Sequence, residues 1–159
     1  MSLMPHLGLW ILALNLSFNG PALSLPQPLP STVSSPQSSD EETVRALTEK
    51  YGLAIAAGDL ETLRQLWNPQ SPHLASRIRF YQGFFSTSRI EFIDLKVTRL
   101  EVTGDKAVSH LTSDDRHLDK KTGTGLGERD AYHGVCRSFE WVKTGARWKI
   151  DVGAPAGFT

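Results

Sequence analysis

Cysteine is nearly absent: Cys136 is the only one in 159 residues. No disulfide can form within the chain, so its core must hold the fold whatever the redox state of its compartment. An excess of either charge is also missing, since 17 Lys and Arg offset 17 Asp and Glu for a net charge of +0. A phosphate-binding basic face and an acidic solvating tail are both disfavoured, and nucleic acid is not an expected partner. No apolar run reaches the ~20 residues that span a bilayer. The first 39 residues contain no charged side chain. The charged remainder is long enough for one domain with a modest core and too short for a second, cofactor-carrying lobe, so no cofactor is expected.

The uncharged leader contains an apolar run over 7–18, interrupted by Gly8, Asn15 and Ser17 and followed by Asn19-Gly20-Pro21 and Ala22-Leu23-Ser24. A short apolar stretch, a helix-breaking pair and a small-x-small site are the features of a secretory signal peptide. The sequence therefore predicts a signal peptide over 1–24, cleaved after Ser24, and a secreted or periplasmic mature protein. The expected basic start is replaced by His6 alone. Residues 25–39 contain Pro26, Pro28, Pro30 and Pro36 and read as an extended, solvated linker. The predicted domain covers 40–153, with a short tail over 154–159.

Ser39 and Glu42 have capping-box spacing, so a helix is expected to begin near Asp40. Val44, Leu47, Tyr51, Ala54, Ile55 and Gly58 give it one apolar face. Asp59 is placed to cap a second helix whose buried side carries Leu60, Leu63, Leu66 and Trp67. After Pro72, Leu74, Ile78, Tyr81 and Phe85 define a third helix to about Ser86, with Phe80 and Phe84 beside that face. From Ile90 the period changes to two. Turns at Thr103-Gly104-Asp105, the glycine-containing stretch 119–127 and Thr144-Gly145-Ala146 separate four strands. The expected fold is α+β: three N-terminal helices packed in the concave face of a curved four-stranded antiparallel sheet, a cystatin-like cone.

The run from Tyr51 through Gly58-Asp59-Leu60 to Leu66-Trp67, the turn Val102-Thr103-Gly104-Asp105 and the closing Arg147-Trp148-Lys149-Ile150 resemble the nuclear transport factor 2-like superfamily over about residues 41–153. That resemblance implies a cone whose mouth often holds a small apolar ligand. It also brings in ketosteroid isomerases, scytalone dehydratase and SnoaL-like polyketide cyclases, alongside domains with no known chemistry. Tyr51 stands where a ketosteroid isomerase has its first-helix tyrosine, whose hydroxyl helps stabilise an oxyanion. The acidic segment that carries that enzyme's base has no counterpart, because no Asp or Glu lies between Asp59-Leu60-Glu61 and Glu91.

The expected ligand pocket comprises Tyr51, Trp67, Tyr81, Phe84 and His110, with Tyr51 and His110 as the catalytic candidates. Tyr51 also reads as an aromatic core residue bonded to a neighbour. His110 shares a face with Val108 and Thr112 and is expected to project into the cone, where an imidazole would suit proton transfer near neutral pH. A second polar cluster, Asp114, Asp115, Arg116 and His117, ends the second strand and reads either as part of the mouth or as a solvated strand end. His133 and Cys136 have a permissible zinc spacing but fall on opposite faces of one strand, so no metal is expected. Gly123, Gly125 and Gly127 lie between strands and make a loop, not a phosphate cradle.

Three functions compete. One is a secreted, non-catalytic module that binds a small apolar ligand or another protein. Another is a cofactor-free isomerase, lyase or hydrolase. The third is a homodimer or appended domain that works through its exposed sheet face. Mass spectrometry of the exported protein is expected to show a chain beginning at Leu25; an intact Met1 would contradict the cleavage, and retention in the cytoplasm would contradict export.

Overall fold

A computed structural model describes residues 36–126, 131–153 and 157–158; the signal peptide and nearly all of the linker expected from sequence lie outside them. Helix α1 (Pro36–Ala57) starts four residues before the expected start at Asp40. Ser39 is therefore an interior residue, and its carbonyl accepts from the Thr43 hydroxyl at 2.8 Å. Proline suits a first helical position, where the missing N–H would have no intrahelical partner. The helix stops at Gly58, whose φ of 67° permits the left-handed exit. Helix α2 (Leu60–Leu66) is capped as expected, the Asp59 carboxylate accepting from Thr62 N–H at 3.0 Å. Helix α3 spans Leu74–Thr87.

Four long strands follow: β1 (Ser88–Thr103), β2 (Lys106–Asp119), β3 (Tyr132–Thr144) and β4 (Arg147–Gly153). They form an antiparallel sheet in the order β1-β2-β3-β4. A two-residue strand, β5 (Gly157–Phe158), pairs with Val135 and Cys136 of β3, inside the segment expected to be only a tail.

Bulges decide which residues face the helices. β1 shifts register against β2 at Phe92/Asp94 and again at Val97/Arg99. Its inward row consequently runs Ile90, Phe92, Leu95, Val97, Leu100 and Val102, changing parity twice. Each bulge adds local twist, which bends the sheet around the helices. β2 keeps a single parity through most of its length, with Ala107, Ser109, Leu111, Ser113 and Asp115 buried.

Helix α1 approaches this surface very closely at Gly52. A Cβ built there would lie 2.7 Å from Leu95 Cδ2 and 3.2 Å from Leu111 Cδ2, so only glycine fits without displacing the sheet side chains. Further along, the Thr48 and Ser109 hydroxyls bond at 2.8 Å, and Trp141 Nε1 donates to the same Ser109 oxygen at 2.7 Å. This satisfies three buried polar groups at once. Near the start of α1, Asp40 accepts from Lys143 Nζ and Trp148 Nε1, tying the helix to the β3–β4 hairpin.

Trp67 closes the helical hairpin onto the sheet. It is 1% exposed, its backbone bridges to Ile150, and its ring edge would lie 3.1 Å from a Cβ at Gly153. The expected packing of α1 on α2 is present, with Tyr51, Leu63 and Trp67 buried and Leu47 packed against the core. Phe80, beside the apolar face of α3, is 56% exposed. Among the described residues, no helix is long and apolar enough to cross a membrane. Trp67→Ala is expected to lower unfolding free energy by ~3–5 kcal/mol in denaturant titration, the range for truncating a large buried aromatic.

Candidate functional site

The inward row of β3 carries Val135, Phe139 and Trp141 beside Arg137, whereas that of β2 alternates small or apolar with polar residues, Ala107, Ser109, Leu111 and Ser113, and ends on Asp115. Asp115 is fully buried, and its Oδ2 accepts from Arg137 Nη2 at 2.6 Å. Arg137 also donates through Nη1 to the Ser113 hydroxyl at 2.7 Å, and its guanidinium lies 5.5 Å from the centre of the Phe92 ring. A charge-assisted pair with a neighbouring hydroxyl and an aromatic face is a favourable setting for a buried guanidinium. One atom has no hydrogen-bond partner: Asp115 Oδ1. His117 Nε2 lies 3.7 Å from it, beyond hydrogen-bond range.

Tyr51 from α1 and Tyr81 from α3 meet beside this cluster, their hydroxyls 2.7 Å apart. The Tyr51 ring packs edge-on to Phe139 at 4.6 Å, and Tyr81 stacks on Phe85 at 5.4 Å. Burial pushes the Tyr51 hydroxyl well above the usual tyrosine range, reinforced by Tyr81, and burial likewise raises Tyr81. The positive charges of Arg77 and Arg137 oppose these shifts without cancelling them. Both groups are therefore neutral hydroxyls near pH 7, able to donate and accept hydrogen bonds but not to act as phenolate bases.

At the rim, His117 is held between aromatic rings, 5.8 Å from Phe84 and 4.9 Å from Tyr132. Its side chain is 32% exposed and links the buried Asp115 to the surface. Burial lowers the His117 pKa below 6.5; Asp115 opposes this and Arg137 adds to it.

Tyr51, Tyr81 and Phe84 lie on helix sides packed against the core, and Trp67, just past the end of α2, is buried in it. His110 does not join them. It pairs with Arg99 across β1 and with Ser138 across β3, between the buried Ser109 and Leu111, so strand alternation directs it to the outer face. The same alternation divides the second polar cluster. Asp115 and His117 point inward, whereas Asp114 bonds His133 at 3.0 Å and Arg116 approaches Glu91 at 3.8 Å on the outside. For Asp115, the alternative of a solvated strand end is excluded by its burial. Arg137 was not singled out in the sequence, where a lone arginine between Cys136 and Ser138 gives no signal of an inward position beyond strand parity.

Among the described residues, no group of three or more His, Cys, Asp or Glu side chains could hold a metal ion. The outer sheet face carries Val108, Cys136 and Val142 among polar residues such as His110, Thr112, Ser138 and Lys149. A separate open groove of about 530 Å³ lies between α1 and β1, lined in part by Leu53, Ile93 and Leu95, and includes none of Tyr51, Tyr81, Asp115 or Arg137.

No protein-family description matches the chain, and no curated protein matches it by sequence. Solved structures do match. A candidate dehydratase of the NTF2-like family from Streptomyces avermitilis aligns over 73% of this chain and 94% of its own, with 23% identity and a TM-score of 0.55. A ketosteroid isomerase-like protein from Erwinia carotovora aligns over 70% and 91%, with 14% identity and a TM-score of 0.58. An NTF2-like protein of unknown function from Pseudomonas putida aligns over 73% and 84%, with 14% identity and a TM-score of 0.57. The fold is that of the nuclear transport factor 2-like superfamily.

Within this nuclear transport factor 2-like cone, rings fill the floor and ionisable groups gather at one end. Tyr51, Phe139, Trp141 and Trp67 are all nearly inaccessible. Ser113, Asp115, Arg137 and His117 lie beyond them, beside the Tyr51–Tyr81 pair. Because His117 titrates lower in the folded chain than its reference value of 6.5, the unfolded chain takes up the proton first as pH falls. Its contribution is thus fully present above about pH 6.5 and is lost as pH falls through the folded value. Urea titrations at about pH 7.5 and 5 are expected to show lower stability in acid, with the pH difference reduced in His117→Gln; an unchanged difference would remove His117 from this linkage.

Proposed function

We propose that this chain is an exported small-ligand-binding module, displayed on its Pro/Ser-rich linker, that takes a small and mostly apolar molecule into the mouth of the cone without transforming it. The observation that carries this reading is the Ser113–Asp115–Arg137 cluster, buried among aromatic side chains with the part-exposed His117 between it and solvent. Ion pairs are costly to bury, so such a cluster gives the sheet little net stability over an apolar packing, and its convergence in an aromatic cone has the composition of a small-molecule site. Binding is favoured over turnover because Tyr51 and Tyr81 are held neutral and bonded to each other, so neither is an activated base.

The second reading is a cofactor-free isomerase, lyase or hydrolase. It draws support from the imidazole of His117 3.7 Å from the Asp115 carboxylate, a pair that can relay a proton through one bridging group. It no longer rests on His110, which lies on the other side of the sheet. A homodimer through the sheet would use the outer face, where apolar side chains are sparse.

Titration with indane, a neutral bicyclic hydrocarbon, followed by NMR is expected to move resonances of Phe84 and Tyr81 and to leave His110 unmoved. Phe84→Ala is expected to weaken binding about tenfold, the scale of losing one aromatic contact surface. Shifts confined to the outer face or to the groove beside Leu53 would refute the cone as the site.

A further inference from the structure

Resting on the cone as the ligand site, the geometry points to the chemical class of the ligand: a neutral, largely apolar molecule bearing a hydroxyl group, held between Asp115 Oδ1 and His117 Nε2. Asp115 Oδ1 is a fully buried carboxylate oxygen with no donor, while its twin Oδ2 is taken by Arg137. A buried acceptor left bare is costly, and native structures seldom leave one without a function or a bound partner. His117 does not fill the gap itself, because its ring is packed against Phe84 and Tyr132 with Nε2 held at 3.7 Å.

That separation suits one bridging atom. An oxygen at ordinary hydrogen-bond distance from both groups completes a triangle across a gap of 3.7 Å. The bridging atom must donate to the carboxylate and, with His117 neutral and protonated at Nε2, accept from the imidazole. A hydroxyl does both. A ligand carboxylate can accept from His117 but meets Asp115 as a second negative charge. A hydrocarbon leaves Oδ1 bare. The Asp115–Arg137 pair carries no net charge, so a neutral ligand needs no further counter-ion, and the side chains beside the pair are aromatic, Phe84 5.8 Å from the His117 ring and Phe92 5.5 Å from the Arg137 guanidinium.

The test compares three probes that share one frame, indane, 2-indanol and indane-2-carboxylate, by calorimetry and NMR on the full chain. In the unsubstituted protein, 2-indanol is expected to bind at least about tenfold more tightly than indane, and the carboxylate more weakly than either. The His117 Nε2 resonance is expected to shift with the alcohol and not with the hydrocarbon. The paired replacement Asp115→Leu/Arg137→Met, which removes the ion pair without leaving one buried charge alone, is expected to abolish the preference for the alcohol. Equal affinity for indane and 2-indanol would overturn the inference and leave the cone as a binding site, with water alone bridging the two groups. A preference that survives the paired replacement would overturn it by placing the hydroxyl elsewhere. Failure of all three probes to bind would overturn both this inference and the binding function. Should the paired variant not fold, the His117 resonance in the unsubstituted protein decides.

Discussion

Strand β2 must cover helix α1 with one row of side chains and present the other to the outside, and much of the molecule's chemistry follows from that division. Ala107, Ser109, Leu111, Ser113 and Asp115 form the inner row. Leu111 meets the helix where Gly52 lets the backbone come close, and Ser109 ties Thr48 to Trp141 through one hydroxyl. Because these contacts fix the strand's face and register, Asp115 cannot turn outward without moving its whole row. The carboxylate is committed to the cone by packing several residues away from it.

The same commitment sets the energetics of the polar end. Taking a carboxylate and a guanidinium out of water costs several kcal/mol per ion, offset here by a short charged hydrogen bond, the Ser113 hydroxyl and the Phe92 face. The offset is incomplete at Asp115 Oδ1. On the aromatic floor of the cone the accounting is different: Tyr51 and Tyr81 satisfy each other, and Trp67 combines near-complete burial with an indole N–H that also lacks a partner. The tryptophan orphan lies where α2 meets β4, far along the chain from the polar cluster, and its ring fills space against Gly153. The two unpartnered atoms thus belong to different settings, one in an apolar joint and one at the end of a row of polar side chains.

Helical periodicity was sufficient to place α2 and α3 and the apolar face of α1, since three- and four-residue spacing of large apolar side chains has few other solutions in a chain of this length. The α1 start was misplaced because a capping-box pattern can also occur inside a helix that begins earlier. Turn glycines marked the β1–β2 and β3–β4 hairpins. Parity within strands was harder to read: β1 changes its inward row twice at bulges, and bulges leave no reliable mark in sequence. His110 was assigned to the cone because Val108 and Thr112 looked like an inner row, whereas Ala107, Ser109 and Leu111 are the residues that α1 requires.

By itself, the sequence determined the order of the helices and long strands among the described residues, the segregation of helices before sheet, and the lack of any possible intrachain disulfide. These depend on local periodicity, turn residues and composition, all of which are present within short windows. Only the tertiary structure decided that Asp115, Arg137, Tyr51 and Tyr81 converge while His110 is turned away. That choice depends on register between strands, on two bulges and on how closely one helix can approach, which are relations between residues distant in the chain.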